Sequence, residues 1–270
     1  MPMNDFAGRV AVVTGAAGAL GREFAWQAAA LSMKLVLADQ DAAALERLAD
    51  TLQAGGAEVL AMVCDVGVCA HVEELADAAM IRFHGVHLLF NDGSTGAHAA
   101  AAGAAWDASE AVWKRALDAG LWGAIHAVRI FTPLMIECAR RDAGYRGHIV
   151  NTASVDGLAN APARAIGNVC GHALLALAET LHHDLRRAAV PIGVSVLCLP
   201  PASTGGADAQ RPPAAALAGL AFDAVRSGAF YVPPQPQALD ALEGRLRAIA
   251  DGRAPFDPGA DAAGGAGAAP

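Results

Sequence analysis

The chain has 270 residues, which suits one large α/β domain, and its 54% apolar content is enough to bury a sizeable core. Its formal net charge is −8 without a clustered basic patch, so nucleic acid is not expected as a partner. No uninterrupted apolar run reaches about 18 residues, and the N-terminal segment lacks a basic stretch followed by an apolar one, so we expect a cytoplasmic protein without a membrane span.

Short apolar runs alternate with segments of helical periodicity along most of the chain. The runs predict strands at 9–14, 34–38, 57–64, 86–90, 147–152 and 191–199, with a short last strand at 230–232. Helices are predicted at 19–32, 41–53, 70–83, 108–139 and 162–187. This alternation predicts a three-layer α/β fold, in which a single doubly wound parallel sheet of about seven strands, a Rossmann fold, carries helices on both faces.

Three segments depart from this alternation. Residues 97–105 are almost all alanine and glycine and are predicted to form a loop or a frayed helix entry, and Pro133 is expected to bend the long helix that contains it. Residues 200–227 are predicted to form a mobile loop with short helices. One domain is therefore expected to span residues 1–251, followed by a disordered tail rich in Ala, Gly and Pro at 252–270.

A glycine-rich turn follows the first strand and opens the first helix. Its sequence is Thr14-Gly15-Ala16-Ala17-Gly18-Ala19-Leu20-Gly21. Glycine permits a tight turn and close approach of the backbone, and a helix N-terminus presents unpaired N–H groups to a pyrophosphate. The position between a strand and a helix is the context that this motif requires. We therefore expect a phosphate-binding loop formed by Gly15, Gly18, Ala19, Leu20 and Gly21.

Carboxylates end the second and third predicted strands. Asp39 lies 21 residues after Gly18 and can accept hydrogen bonds from both ribose hydroxyls of NAD, whereas it would repel a 2′-phosphate. No arginine or lysine within the glycine turn offsets that repulsion, so NAD is expected as the cofactor in preference to NADP. Asp65 can face the adenine amino group. Either carboxylate can alternatively cap the helix that follows it.

The cysteines and histidines show no metal-binding pattern. The five cysteines are odd in number and scattered, none forms a Cys-x-x-Cys pair, and none has zinc spacing with a histidine. We therefore expect free thiols and no metal site.

The spacing Thr-Gly-x-x-x-Gly-x-Gly resembles the fingerprint of the short-chain dehydrogenase/reductase superfamily, and the resemblance continues over about residues 8–233. Matching segments are Asp39, Cys64-Asp65-Val66, Leu88-Leu89-Phe90-Asn91, Leu121-Trp122-Gly123, 148–154 and 178–181. The resemblance implies NAD-linked oxidoreduction of a small alcohol or carbonyl compound. It also implies that Val66 and Asn91 contact the cofactor, that Thr204 holds its carboxamide, and that the two long helices pair across the interface of a homodimer or homotetramer.

Only one of the four catalytic side chains that the resemblance implies is present. Ser154 stands at the position of the serine that orients the substrate oxygen, although it can alternatively satisfy a backbone group at the strand end. The positions of the proton-transferring tyrosine and of the lysine four residues later are Gly167 and Gly171, and the asparagine position is Gly120. No shift of register restores the pair, because the chain has only two tyrosines and two lysines and none lies in this segment.

Two further segments differ from the family pattern. Asn91-Asp92-Gly93-Ser94 stands where the family has Asn-Asn-Ala-Gly, and Leu199-Pro200-Pro201 stands where it has Pro-Gly after the sixth strand. A proline in place of glycine removes a backbone donor and fixes φ, which disturbs the ordinary placement of the nicotinamide.

The three glycines admit three interpretations. The protein is a pseudoenzyme that keeps the fold and the nucleotide, an active enzyme with relocated groups, or an inactive partner in a hetero-oligomer whose other subunit supplies catalysis. The nearby groups that can serve as relocated acids or bases are Asp92, Asp118, Asp156, Cys170 and His172. The alternative from another functional class is a structural or regulatory subunit that no longer binds the cofactor. Since general acid–base catalysis contributes about 10²–10⁴-fold, we expect weak or absent dehydrogenase turnover.

Overall fold

The computed structural model describes residues 1–92, 103–199, 212–232 and 236–257. In this part of the chain, seven strands form one sheet in the order β3-β2-β1-β4-β5-β6-β7. The strands are β1 (Val10–Thr14), β2 (Lys34–Asp39), β3 (Val59–Val63), β4 (Leu88–Asn91), β5 (Gly147–Ser154), β6 (Ile192–Leu199) and β7 (Tyr231–Val232). Every pairing between them is parallel. The predicted α/β fold with one doubly wound parallel sheet is thereby confirmed.

Helices cover both faces of the sheet. They are α1 (Ala19–Ala30), α2 (Ala42–Ala54), α3 (Cys69–Phe83), α4 (Glu110–Leu117), α5 (Gly123–Arg141), α6 (Ala165–Arg187), α7 (Ala214–Ser227) and α8 (Pro236–Ala250). Buried apolar residues of α3, α5 and α6 pack on one face, and those of α1, α2 and α7 pack on the other. Because both faces are covered, the strands need apolar side chains on both sides, and β1 accordingly reads Val-Ala-Val-Val-Thr and is buried throughout.

Three phenylalanines hold the first helix against the sheet. The rings of Phe24 on α1 and Phe90 on β4 stack with centroids 4.2 Å apart, and Phe222 on α7 lies 5.1 Å from Phe90. All three side chains are buried, and burying a phenylalanine contributes roughly 1.5–3 kcal/mol. This packing fixes α1, and with it the glycine turn at its N-terminus, relative to the carboxyl ends of the strands.

The strand order changes direction between β1 and β4. From β1 the chain builds outward through β2 and β3, then returns to place β4 on the other side of β1. The connections that follow β1 and β4 lead to helices on opposite faces, α1 on one and α5 on the other. In an open α/β sheet, this divergence leaves a crevice beyond the carboxyl ends of the strands, where ligands bind.

The predicted helix over 108–139 is divided in the structure. A π-helical turn at Asp118–Trp122 separates α4 from α5 and contains the buried Gly120, whereas Pro133 lies within α5. The loop after β3 packs directly on this turn, since a Cβ on Gly67 would lie 3.2 Å from the carbonyl oxygen of Asp118. Widened turns of this kind are frequent at functional sites.

Two helices differ from what the sequence predicts. Residues 200–227 are predicted to form a mobile loop with short helices, and the helix in their second half, α7, is longer than expected at 14 residues. Its buried positions follow helical spacing at Leu217, Ala218, Ala221, Phe222, Ala224 and Val225. The helix α8 was not predicted at all. Residues 93–102 and 200–211, including most of the predicted loop at 97–105, lie outside the described residues.

The chain beyond α8 begins with a packed segment. The ring of Phe256 lies against Gly244, where a Cβ would come within 2.8 Å of the ring atoms. The remainder of the predicted disordered tail, residues 258–270, lies outside the described residues.

One helical stretch among the described residues, Glu110–Arg141, is long and apolar enough to cross a membrane by length and composition. Half of its most apolar window is buried inside the protein. The core helix of a soluble protein has the same properties, so this stretch is weak evidence for a membrane span.

Candidate functional site

The glycine turn has the geometry of an anion-binding loop. Gly15 adopts φ +63°, and the N–H of Gly18 donates to its carbonyl oxygen over 3.0 Å. A Cβ on Gly21 would lie 2.1 Å from the Gly15 carbonyl oxygen, so this position requires glycine. No side chain caps the N-terminus of α1. The first-turn N–H groups, including those of Ala19 and Leu20, therefore have no intrahelical acceptor and are available to an anion.

Asp39 joins the end of β2 to this turn. Its Oδ2 accepts a hydrogen bond from the N–H of Ala17 over 2.9 Å, and its Oδ1 accepts one from the N–H of Asp41 over 2.9 Å. The cap of α2 is Asp41, whose carboxylate accepts from the N–H of Ala44. The alternative that Asp39 caps the following helix is therefore wrong, and its carboxylate lies at the crevice instead.

Asp65 organises the loop after β3. Its Oδ1 accepts hydrogen bonds from Nε2 of Gln40 and from the N–H of Gly67, each over 2.9 Å. The cap position of α3 belongs to Val68, so Asp65 is not the helix cap either. Because β3 and β2 are neighbours in the sheet, this loop lies beside Asp39 on the outer side of the crevice.

Val66, the next residue of that loop, is held by α5. Its carbonyl oxygen lies 2.9 Å from Nδ1 of His126, a buried residue that belongs to no motif of the sequence. The packing leaves no room for a side chain at Gly123, where a Cβ would lie 2.6 Å from Cγ2 of Val66. Little in the sequence indicates this contact, because a histidine four residues after Trp122 indicates only that the two residues share a helix face.

Asn91 ties β4 to its neighbours at the carboxyl end of the sheet. Its Nδ2 donates to Oδ1 of Asn151 over 3.0 Å and to the carbonyl oxygen of Ala124 over 3.4 Å. Asn91 and Asn151 are register partners in β4 and β5. The side chain is buried, its Nδ2 is engaged by these contacts, and its carbonyl oxygen accepts from the hydroxyl of Thr152 over 3.2 Å.

A buried carboxyl group follows Asn91. Asp92 is 6% exposed, its Oδ1 accepts from the hydroxyl of Thr152 over 2.8 Å, and its N–H donates to the hydroxyl of Thr14 over 3.0 Å. Burial raises the pKa of the Asp92 carboxyl to about 6, the Thr152 hydrogen bond opposes this rise, and the charge of Asp39 adds to it. The carboxyl ends of β1, β4 and β5 thus meet at one ionisable group.

We expect Asp92→Asn to raise the free energy of unfolding at about pH 8 by roughly 1–3 kcal/mol and to have no such effect near pH 4. Because the folded-state pKa is raised, ionisation of Asp92 costs stability as the pH rises from about 4 through 6, and the cost persists above that range. Asparagine keeps the acceptor for Thr152 but cannot ionise. Thermal unfolding across this pH range measures the difference.

The exposed Asp77 on α3 provides the control, since Asp77→Asn removes an equal charge without burial. A stability gain for Asp92→Asn of equal size at both pH values would contradict the assignment to ionisation.

Ser154 is the last residue of β5 and is half-buried beside Leu199 of β6. A 3-10 turn at Val155–Gly157 follows and packs on α6. A Cβ on Gly157 would lie 2.5 Å from the carbonyl oxygen of Gly171, so the turn rests directly on the backbone of that helix. Gly167 and Gly171, one helical turn apart, are both buried on α6. The structure therefore brings Ser154 and the two glycine positions to the same end of the sheet.

The groups considered as relocated acids or bases differ in their surroundings. Cys170 is fully buried against Ala116 and Ile166, and burial raises its thiol pKa to about 11, which makes it a poor proton donor at neutral pH. His172 contacts the carbonyl oxygen of Asn168 through Nδ1, within its own helix. Asp118 lies in the π-helical turn. The side chain of Asp156 is not described, and Asp92 is buried as stated above.

Thr204, the proposed carboxamide ligand, and Pro200 lie outside the described residues. Within the described ranges, no group of three or more His, Cys, Asp or Glu side chains is arranged to hold a metal ion.

Comparison with known proteins identifies the family of the chain. The family model for short chain dehydrogenases matches residues 9–214. The chain belongs to the short-chain dehydrogenase family. A "CLA biosynthesis dehydrogenase/reductase" from Lactiplantibacillus plantarum is 31% identical over 196 residues, which cover 73% of this chain and 65% of that relative. The match thus spans slightly less than two thirds of the relative's own length.

Solved structures of the family show bound nicotinamide cofactors. A short-chain dehydrogenase/reductase from Burkholderia phymatum, in complex with NAD, is 38% identical with a TM-score of 0.85, and the match covers 95% of this chain and 99% of that one. A metagenomic short-chain oxidoreductase in complex with NADP is 23% identical with a TM-score of 0.68, covering 84% of this chain and 96% of that one. The second likeness shows the fold alone. The family as a whole binds a nicotinamide dinucleotide.

Proposed function

We propose that this protein binds NAD at the carboxyl edge of the sheet and carries out little or no ordinary hydride transfer. The observation that carries the proposal is the Asp39 carboxylate, which bonds to the glycine turn and faces the crevice at the end of β2. An unmodified ribose can donate hydroxyl groups to such a carboxylate, and the open N-terminus of α1 supplies donors for the pyrophosphate.

The charge of Asp39 favours NAD over NADP. A 2′-phosphate would enter beside a carboxylate that already accepts two backbone hydrogen bonds, and the four residues between Gly15 and Leu20 include no cation. The NAD complex of the Burkholderia relative supports the same preference, at an identity of 38%.

Weak turnover follows from the residues at the carboxyl end of β5. Family resemblance assigns proton transfer to positions 167 and 171, and both are glycine on a buried helix face. Cys170 is a poor replacement because its thiol is buried with a raised pKa, and His172 has its Nδ1 bonded within α6 and only its Nε2 left for proton transfer. Ser154 alone can orient a substrate oxygen but cannot take its proton efficiently.

Calorimetric titration with NAD and NADP tests the proposal. We expect NAD to bind and NADP to bind more weakly. Asp39→Asn should lower the affinity for NAD about tenfold and reduce the difference in affinity between NAD and NADP. Hydrogen bonds to charged groups contribute about 1.5–3 kcal/mol. Because asparagine keeps one acceptor, the loss of binding free energy should lie near the lower end of that range, which corresponds to about tenfold in affinity.

Asp41→Asn is the matched control, because it removes the same charge two residues away and asparagine still caps α2. Equal effects of the two substitutions would show that the local charge, and not the Asp39 contact, governs affinity. Failure of the unsubstituted protein to bind either dinucleotide would overturn the proposal and favour a structural or regulatory subunit without cofactor.

We further propose that the protein is a homo-oligomer in the cytoplasm. Trp122 and Val169 are 46% and 48% exposed beside α5 and on α6, the helices that family resemblance places at an interface. Light scattering after gel filtration would give the mass, and a monomer at all concentrations would contradict this part of the proposal.

A further inference from the structure

We infer that His126 is a positioning residue for the adenine half of the dinucleotide, acting through the carbonyl group of Val66. The inference deepens the proposed function and rests on it. No catalytic role is implied, because His126 touches the loop and not the reacting end of the cofactor.

The contact has a defined direction. Nδ1 of His126 lies 2.9 Å from the carbonyl oxygen of Val66, and a carbonyl oxygen only accepts, so the histidine carries its proton on Nδ1 and donates it. The imidazole is 7% exposed and its ring lies 5.6 Å from that of Trp122. This donor on α5 therefore anchors the loop that follows β3, 60 residues earlier in the sequence.

The loop has little freedom once this bond forms. A Cβ on Gly123 would lie 2.6 Å from Cγ2 of Val66, and one on Gly67 would lie 3.2 Å from the Asp118 carbonyl oxygen. A side chain at position 123 would clash with Val66, and one at position 67 would require its neighbours to shift by a few tenths of an ångström. The loop therefore packs closely against the π-helical turn and the start of α5, and the His126 hydrogen bond fixes the position of Val66 against them.

The opposite side of the loop faces the crevice. Asp65 is anchored there by Gln40, the residue that follows Asp39. A dinucleotide whose ribose bonds to Asp39 and whose pyrophosphate lies on α1 must place its adenine toward β2 and β3, because the sheet order puts those strands on that side of β1. A shift of Val66 would consequently change the adenine pocket and leave the nicotinamide side, at β4 and β5, unaffected.

The test compares two half-cofactors. Binding of ADP, which carries the adenine half, and of nicotinamide mononucleotide, which carries the other half, would be measured by NMR titration for the wild type, His126→Leu and His126→Asn. We expect His126→Leu to weaken ADP and NAD by roughly 3- to 10-fold, the range of one lost hydrogen bond, with nicotinamide mononucleotide unchanged. Asn places an amide N–H near the position of Nδ1, so His126→Asn should recover most of the ADP affinity.

The control is His183→Leu, the same substitution at an exposed position on α6. A purely structural role for His126 would lower affinity for both halves alike, and that result would overturn the inference. Unchanged ADP affinity in His126→Leu, or no recovery in His126→Asn, would overturn it as well. Absence of ADP and NAD binding by the wild type would instead refute the proposed function itself.

Discussion

Gly167→Tyr combined with Gly171→Lys should raise NAD-dependent turnover of secondary alcohols by about 10²–10⁴-fold over the unsubstituted protein. The two positions are one turn apart on the buried face of α6, and the turn after Ser154 rests on the backbone of Gly171. By family resemblance, a tyrosine and a lysine there enter the crevice beside Ser154, the one catalytic side chain of the family pattern that is present, and the turn that rests on Gly171 must shift to admit the lysine. The lysine charge would lower the pKa of the tyrosine toward the working pH, as general acid–base catalysis requires.

Absorbance of NADH with a panel of secondary alcohols measures the gain, and thermal unfolding verifies that each variant is folded. Gly167→Phe with Gly171→Met is the matched control, because it adds similar volume without an ionisable group. A similar gain in that control would attribute the effect to packing. Substantial turnover before substitution, reduced by Tyr and Lys, would instead identify an enzyme with a relocated proton path.

Gly21→Ala should abolish measurable NAD binding and reduce the free energy of unfolding by about 3 kcal/mol or more. The added methyl group would lie 2.1 Å from the carbonyl oxygen of Gly15 and 2.8 Å from Cα of Ala16, both backbone atoms that cannot rotate away. Relief requires the turn to move off α1, which destroys the donor arrangement at the helix N-terminus and disturbs the packing beneath it. Denaturant unfolding and NAD titration measure the two effects.

Gly219→Ala is the matched control for this substitution. Gly219 lies in α7 and has open space where its Cβ would stand, so the same change there should stabilise the protein by roughly 0.5–1 kcal/mol. Equal destabilisation at both positions would show that the close contact at Gly21 is not the cause.

The positions of the glycine turn and of Asp39 were predictable because their determinants are local. The glycine turn follows one apolar strand and Asp39 ends the next, and the parallel sheet brings the carboxyl ends of those strands together. The sequence did not decide whether Asp39 caps the next helix, since Asp41 is an equally good candidate by residue type. The choice depends on the Ala17 N–H, which reaches the Asp39 carboxylate only after the turn has formed.

The contacts that shape the rest of the site join distant segments. His126 meets Val66, and Thr152 meets Asp92, each across 60 residues of sequence. Periodicity assigns such residues to helices and strands but says nothing about which loop they contact. The length of the helix α7 was underestimated for a different reason, because its alanine-rich sequence lies next to a segment rich in proline and glycine, and composition alone did not separate the two.

The double attachment of Asp39 has a consequence for redesign of the protein. The carboxylate that would distinguish the two cofactors also supplies the acceptor for the Ala17 N–H of the glycine turn. Exchanging Asp39 for arginine to favour NADP would remove the repulsion of the 2′-phosphate. The same exchange would also remove the hydrogen bond that stabilises the glycine turn, so the affinity for both NAD and NADP should fall. A successful exchange needs a compensating acceptor nearby, such as a serine or asparagine at position 40, before the new cation can act.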